Sequence, residues 1–201
     1  HQLRMDKLGC LLINSATTVQ DAFLGLTLNK SIVIQEQAVF DTSFDRFWEK
    51  VQSNFPVIIR RDSKFLNWKY KQQPDVNYHV FTASRDGELS GYIILRCALP
   101  PETNSGIVAD ILTDPEDNDS LRALLFHAVK VFKSHRLKYI YAASTIPAYQ
   151  RAFQSIGFRK KKTIVPLLHS LLNENLTALL LSPSNWFLGR SDHDWDQFPY
   201  A

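Results

Sequence analysis

A chain of 201 residues, 45% hydrophobic with 13 Phe, 7 Tyr and 4 Trp, is long enough to bury one sizeable core, which excludes an intrinsically disordered chain. The formal net charge of +3 is too mild to indicate a nucleic-acid partner, and the basic run Arg159-Lys160-Lys161-Lys162 reads as a solvated strand end or turn. Apolar runs such as Leu176 to Leu181 fall far short of the roughly 20 residues a membrane helix needs, so no membrane partner is expected.

Ile32 to Phe40 is rich in Ile, Val and Phe and reads as a strand, followed by capping oxygens at Asp41, Thr42 and Ser43. Phe44, Phe47, Trp48, Val51 and Phe55 then recur at helical spacing until Pro56. A second short helix is expected over Asp62 to Gln73, before Pro74. From Tyr78 the period changes to alternation, and Arg85-Asp86-Gly87-Glu88 turns the chain back through Leu89 to Ala98 as a hairpin. Ile107 to Leu112 extends the meander by one strand.

Asp119 or Ser120 can cap the clearest helix of the sequence, with Leu121, Leu124, Leu125, Ala128, Val129 and Phe132 on one stripe ending near Arg136. Leu137 to Ala143 reads as a strand again, and a right-handed crossover should set it parallel to 107–112. Pro147 and Gly157 bracket a further helix carrying Tyr149, Ala152, Phe153 and Ile156. Two last strands are expected, Thr163 to Leu168 and Leu176 to Leu181, before a polar and aromatic tail from Ser182. Cys10 and Cys97 stand far apart with no metal-ligand spacing, so neither a disulfide nor a zinc site is expected and the cytoplasm is the default compartment. The chain opens on His1, so residues are expected in front of it.

The order strand, helix, helix, three-strand meander, helix, strand, helix, two strands resembles the GNAT superfamily of N-acetyltransferases. Asp110-Ile111-Leu112-Thr113-Asp114-Pro115 looks like that family's central strand, Leu124-Leu125-x-x-Ala128 like its coenzyme helix, and Phe153-Gln154-Ser155-Ile156-Gly157-Phe158 like its signature helix end. Arg61-Asp62, Leu66-x-Trp68-Lys69-Tyr70, Pro74, Tyr78, Gly91-Tyr92, Trp186 and Asp192-His193-Asp194-Trp195-Asp196 resemble more narrowly the second half of tandem-GNAT proteins. The resemblance implies an α/β fold with a mixed central sheet of about seven strands flanked by about four helices. Residues 1–30 would be a linker or N-terminal extension, and 31–201 a GNAT-like domain with its tail.

It also implies acetyl-CoA or coenzyme A as cofactor, held by Ile111, Leu112 and Thr113, by Asn118, Asp119, Ser120 and Leu121 at the helix start, and by Ser144. A small amine, such as an amino sugar or amino acid, would be the acceptor. A preceding GNAT domain or a homodimer partner would be a possible neighbour. Where the family has a glycine-rich phosphate loop, this chain runs Glu116-Asp117-Asn118-Asp119-Ser120-Leu121. Without glycines the backbone amides close less readily on a pyrophosphate, and the acidic residues repel it, so weak coenzyme binding is expected.

Amide transfer from a thioester needs a base for the amine and an acid for the thiolate. Asp110, a carboxylate inside an apolar strand, must face a polar cleft or be paired; as a base it is one candidate. The family's tyrosine position holds Phe153, and Tyr149, one helical turn earlier, is the candidate acid. Its alternative is a core tyrosine with its hydroxyl at the rim. Trp68 and Tyr70 could line an acceptor pocket or fill the core. His127 and His135 read as surface or boundary residues, and the tail acids Asp192, Asp194 and Asp196 lack the glycine and twelfth-position Glu of a calcium loop, so no metal is expected. Two functions follow: an acyl-CoA-dependent N-acyltransferase, or a catalytically silent GNAT-like module that supports a neighbouring domain or binds a partner. The first requires an opening where the parallel strands diverge near Leu112-Thr113 and Ala143-Ser144, with its mouth beside 116–121.

Overall fold

The computed structural model describes residues 31–160, 174–192 and Asp196. Five strands form the main sheet in the order β1-β3-β4-β5-β6. They are β1 (Ile32–Gln37), β3 (Tyr78–Arg85), β4 (Glu88–Ala98), β5 (Ser105–Thr113) and β6 (Tyr139–Tyr141). Neighbouring pairs are antiparallel except β5 and β6, which run parallel as the crossover rule requires. Two short strands, β2 (Val57–Ile58) and β7 (Trp186–Phe187), pair in parallel apart from the main sheet.

Alternation along β4 sends side chains to opposite faces, and a helix covers each. On one face lies α1 (Thr42–Val51), capped by Asp41 and burying Phe44, Phe47, Trp48 and Val51. The Phe44 ring meets Tyr92 of β4 at 5.7 Å. On the other face lies α3 (Asn118–Ser134), where Leu121, Leu124, Leu125, Ala128 and Phe132 are buried. Two glycines let this helix approach. A Cβ on Gly91 would stand 2.6 Å from the Thr113 methyl and 3.2 Å from Leu124, and one on Gly106 would stand 2.5 Å from the Phe132 ring. Against α1 packs α2 (Ser63–Tyr70), capped by Asp62, and against α3 packs α4 (Pro147–Ser155), which starts on its proline.

Several boundaries differ from the expected ones. Asp117 caps α3, not Asp119 or Ser120, because its carboxylate accepts from both the Ser120 amide and hydroxyl. The expected strand 137–143 is paired only over Tyr139–Tyr141. The expected strand 176–181 is a helix, α5 (Glu174–Leu181). An apolar run of that length fits either state, and Leu and Ala are strong helix formers. Asn185 Nδ2 and Trp186 Nε1 then donate to the carbonyls of Leu179 and Leu180 at 2.9 and 3.0 Å, satisfying acceptors that a helix end leaves open. The expected strand 163–168 lies outside the described residues. Among the described residues no helix is long and apolar enough to cross a membrane.

Candidate functional site

The parallel strands do part. Their pairing covers Ser105 to Ile107 against Tyr139 to Tyr141, and β5 then continues to Thr113 without β6 beside it. The space between is filled by the chain's own C-terminal segment, 186–192. Gly189 forms an antiparallel bridge with Ser144. The Thr145 amide donates to the Leu188 carbonyl at 3.1 Å, and its hydroxyl accepts from the Leu188 amide at 2.9 Å and donates to the Trp186 carbonyl. Gly189 lies in the gap itself: a Cβ there would meet Ala143 O at 3.7 Å on one side and Asp110 Oδ1 at 3.8 Å on the other. Phe187, Leu188, Arg190 and Ser191 are all buried.

An ion triad locks this segment to the sheet. Arg61, from the turn before α2, is fully buried and donates through Nε to Asp110 Oδ2 at 3.1 Å. Its Nη2 meets both oxygens of Asp192 at 2.8 Å, and its Nη1 donates to the Ile59 carbonyl at 2.8 Å. The guanidinium also lies 4.7 Å from the centre of the Phe187 ring. Burial opposes the Arg61 charge, but the two carboxylates outweigh it and hold the group protonated. Burial pushes the Asp192 carboxyl up from its ordinary value, against the pull of Arg61. Asp110 is therefore the paired alternative: it is buried, bound to Arg61, and accepts from the Tyr92 hydroxyl at 3.0 Å.

Tyr149 projects from α4 to the end of β5. Its hydroxyl accepts from the Thr113 amide and donates to the Thr113 carbonyl, both at 2.8 Å. The phenol is completely buried, and burial raises its pKa, partly offset by the Thr113 bonds. Its proton is already committed to a backbone carbonyl. Ile111 and Leu112 are buried in the pairing with β4, and Ser144 is held by the Gly189 bridge.

The loop before α3 turns its polar groups on itself. The amides of Glu116, Asp117, Asn118, Ser120 and Leu121 donate respectively to Asp114 Oδ1, Asp114 O, Glu116 O, Asp117 Oδ1 and Asp117 O. The Ser120 hydroxyl is buried between Asp117 and Ser90, while Asn118 and Asp119 are exposed. Arg85 bonds Asp117 at 3.1 Å. Beside this loop is an open hollow of about 510 Å³, lined by Lys50, Arg85, Asp114, Glu116, Asp117 and Asp119 among others.

The aromatic pair does not form one pocket. Trp68 is 55% exposed with its ring against Phe65, whereas Tyr70 is buried against Tyr78 at 5.0 Å. Tyr78 in turn donates to Asp196 at 2.6 Å, and Arg96 donates to the Asp196 carbonyl at 2.8 Å. Asp192 and Asp196 thus serve separate networks. Sequence reasoning missed the joining of Arg61, Tyr92 and Asp192 to Asp110. The signal available was their shared membership of the narrower resemblance, since an arginine and an aspartate 131 positions apart carry no local pattern.

No family model and no curated protein matches the chain. Several solved structures match at low identity. A ribosomal-protein-alanine N-acetyltransferase from Brucella melitensis biovar Abortus 2308 superposes with a TM-score of 0.52 at 14% identity, over 69% of this chain and 99% of that one. The ribosomal-protein-S18-alanine N-acetyltransferase from Escherichia coli gives 0.50 at 15% identity, over 65% and 79%. An aminoglycoside acetyltransferase from an uncultured soil metagenomic sample gives 0.49 at 17% identity, over 71% and 98%. The chain has the GNAT acetyltransferase fold, a mixed α/β architecture around a largely antiparallel sheet.

Proposed function

We propose that this domain is a catalytically silent module of the GNAT fold, one that supports a neighbouring domain or binds a partner. The observation that carries the reading is segment 186–192 seated between β5 and the chain after β6, clamped there by Arg61. In open α/β sheets the crevice beyond diverging parallel strands is where a ligand settles. Here that crevice holds protein. Two further features support the reading: the amides before α3 are bonded within their own loop, and the Tyr149 hydroxyl is engaged with Thr113. Its likeness to the second half of tandem-GNAT proteins fits a supporting role beside a preceding domain.

A second reading is an acyl-CoA-dependent N-acyltransferase acting on a small amine, with the segment displaced when acetyl-CoA binds. The parting of β5 and β6 and the hollow beside the α3 N-terminus favour it. Calorimetric or thermal-shift titration with acetyl-CoA separates the two. A true site at a hundredfold ligand excess would add about 2.7 kcal/mol to stability. The silent module predicts no shift at millimolar acetyl-CoA, and a micromolar dissociation constant would overturn it.

A further inference from the structure

We infer that His79, Cys97 and His135 form a binding site for a thiophilic divalent cation, with zinc as its natural occupant. One nitrogen of each imidazole and the Cys97 sulfur all lie within 4.8 Å of one another. They come from three elements far apart in sequence. His79 on β3 stands opposite Leu95 on β4, so Cys97, two residues further along β4, projects from the same face on the diagonal. His135 is the C-cap residue of α3, the helix that covers that face. The two imidazole rings lie 6.1 Å apart between centres, and Cys97 is half-buried beneath them.

A fourth residue completes the argument. Glu36 on β1 places Oε1 3.2 Å from Nδ1 of His79. A carboxylate on one imidazole nitrogen holds the N–H there and presents the lone pair of the other, the arrangement found behind metal-bound histidines. Nε2 of His79 is then the ligand atom. Tetrahedral zinc, with Zn–N near 2.0–2.1 Å and Zn–S near 2.3 Å, sets its donors about 3.3–3.8 Å apart. The imidazoles reach that spacing by side-chain rotation, since His135 is exposed and His79 partly so.

One thiolate and two imidazoles select zinc over magnesium or calcium, which prefer oxygen. Three protein ligands leave a fourth position for water or an outside donor, so the site is exchangeable. It lies where β5 begins, because Cys97 pairs with Gly106, whereas the filled gap lies at the carboxyl end of β5. The metal would staple the end of α3 to the β3–β4 hairpin whether or not the domain is silent.

The test is a cobalt(II) titration followed by zinc displacement, on the full chain carrying Cys10→Ser so that Cys97 is the remaining thiol. The expected result is one equivalent of cobalt with a thiolate charge-transfer band and tetrahedral d–d bands, all removed by zinc. Adding Cys97→Ser should abolish the charge-transfer band. Glu36→Gln should weaken zinc binding about tenfold or more. His135→Ala, a surface change that leaves folding intact, should weaken it at least as much and remove the zinc-dependent rise in unfolding temperature. Absence of the charge-transfer band in the Cys10→Ser protein, or unchanged zinc affinity in His135→Ala, overturns the inference even if Cys97→Ser fails to fold.

Discussion

Replacing Arg61 by Met tests whether the segment in the gap is held by the ion triad or by its backbone bonds. The substitution keeps an unbranched chain of similar length but removes five hydrogen-bond contacts, two to Asp110, two to Asp192 and one to Ile59 O. It leaves two carboxylates, with side chains only 1% and 3% exposed, facing one gap without a cation. Removing one partner from a buried ion pair costs about 3–5 kcal/mol, a large part of the roughly 5–15 kcal/mol that holds a domain together. At about 2–4 °C per kcal/mol for a chain of this size, the unfolding temperature should fall by roughly 6–20 °C. Urea unfolding gives the same quantity as a shift in midpoint at constant slope. The triple variant Arg61→Met, Asp110→Asn, Asp192→Asn should recover part of the loss, since no charge is then stranded. The single variant should also lose its deficit on acidification. Without a cation the carboxyls hold protons more tightly folded than unfolded, so its relative stability rises as pH falls. A loss below about 1 kcal/mol, or no recovery in the triple variant, would mean that the triad is not the clamp.

Two other expectations concern the α3 face of the sheet. Gly106→Ala forces a methyl to 2.5 Å from the buried Phe132 ring, so one of them must shift and the change should cost about 1–3 kcal/mol; thermal unfolding within error of the parent refutes that packing. Burial lowers the His127 pKa from its ordinary value, helped by Lys130 and opposed by Glu36, and its Nε2 has no hydrogen-bond partner among the described residues. The unfolded chain therefore binds the extra proton, and stability should be lost as pH falls below about 6.5 toward the folded-state value. Urea midpoints at about pH 7.5 and 5.5 should differ less in His127→Leu than in the parent, and an equal difference would refute the assignment.

The elements legible in the sequence are those fixed by local periodicity. Alternation from Tyr78 to Ala98 and the stripe from Leu121 to Phe132 are properties of neighbouring residues, so β3, β4 and α3 could be read directly. Leu176 to Leu181 misled because an apolar run does not itself choose between strand and helix; the side chains of Asn185 and Trp186, beyond its end, complete the helical ending. Asp110 was legible as a carboxylate in need of a partner. Its partner was not, because Arg61 reaches it from 49 positions away and brings Asp192 as a third member. The closed gap was hidden for the same reason: a single bridge from Ser144 to Gly189 leaves no periodic trace. His79, Cys97 and His135 likewise show no ligand spacing along the chain and converge only through strand register and the reach of α3.

The filled gap and the self-satisfied loop act on coenzyme affinity together. A ligand entering between β5 and the chain after β6 must first displace 186–192, which separates Asp192 from Arg61 and breaks the Ser144–Gly189 bridge. Losing the two charge-assisted Arg61–Asp192 hydrogen bonds alone, at about 1.5–3 kcal/mol each, puts the open form roughly 3–6 kcal/mol above the closed one. When the competent state is that rare, the apparent dissociation constant rises in proportion, by roughly 10²- to 10⁴-fold at tenfold per 1.4 kcal/mol. A phosphate loop with free amides could offset part of this through charge-assisted hydrogen bonds. This loop cannot, because Asp114 and Asp117 already accept the amides of Glu116 and Ser120, and their carboxylates add repulsion. Opening the gap and freeing the loop are separate changes, so restoring one leaves the other penalty in place. Arg61→Met weakens the clamp alone, and Asp114→Ala with Asp117→Ala would free the Glu116 and Ser120 amides alone. Neither variant should bind acetyl-CoA at micromolar concentration, and one that does would show that a single barrier, not two, keeps the coenzyme out.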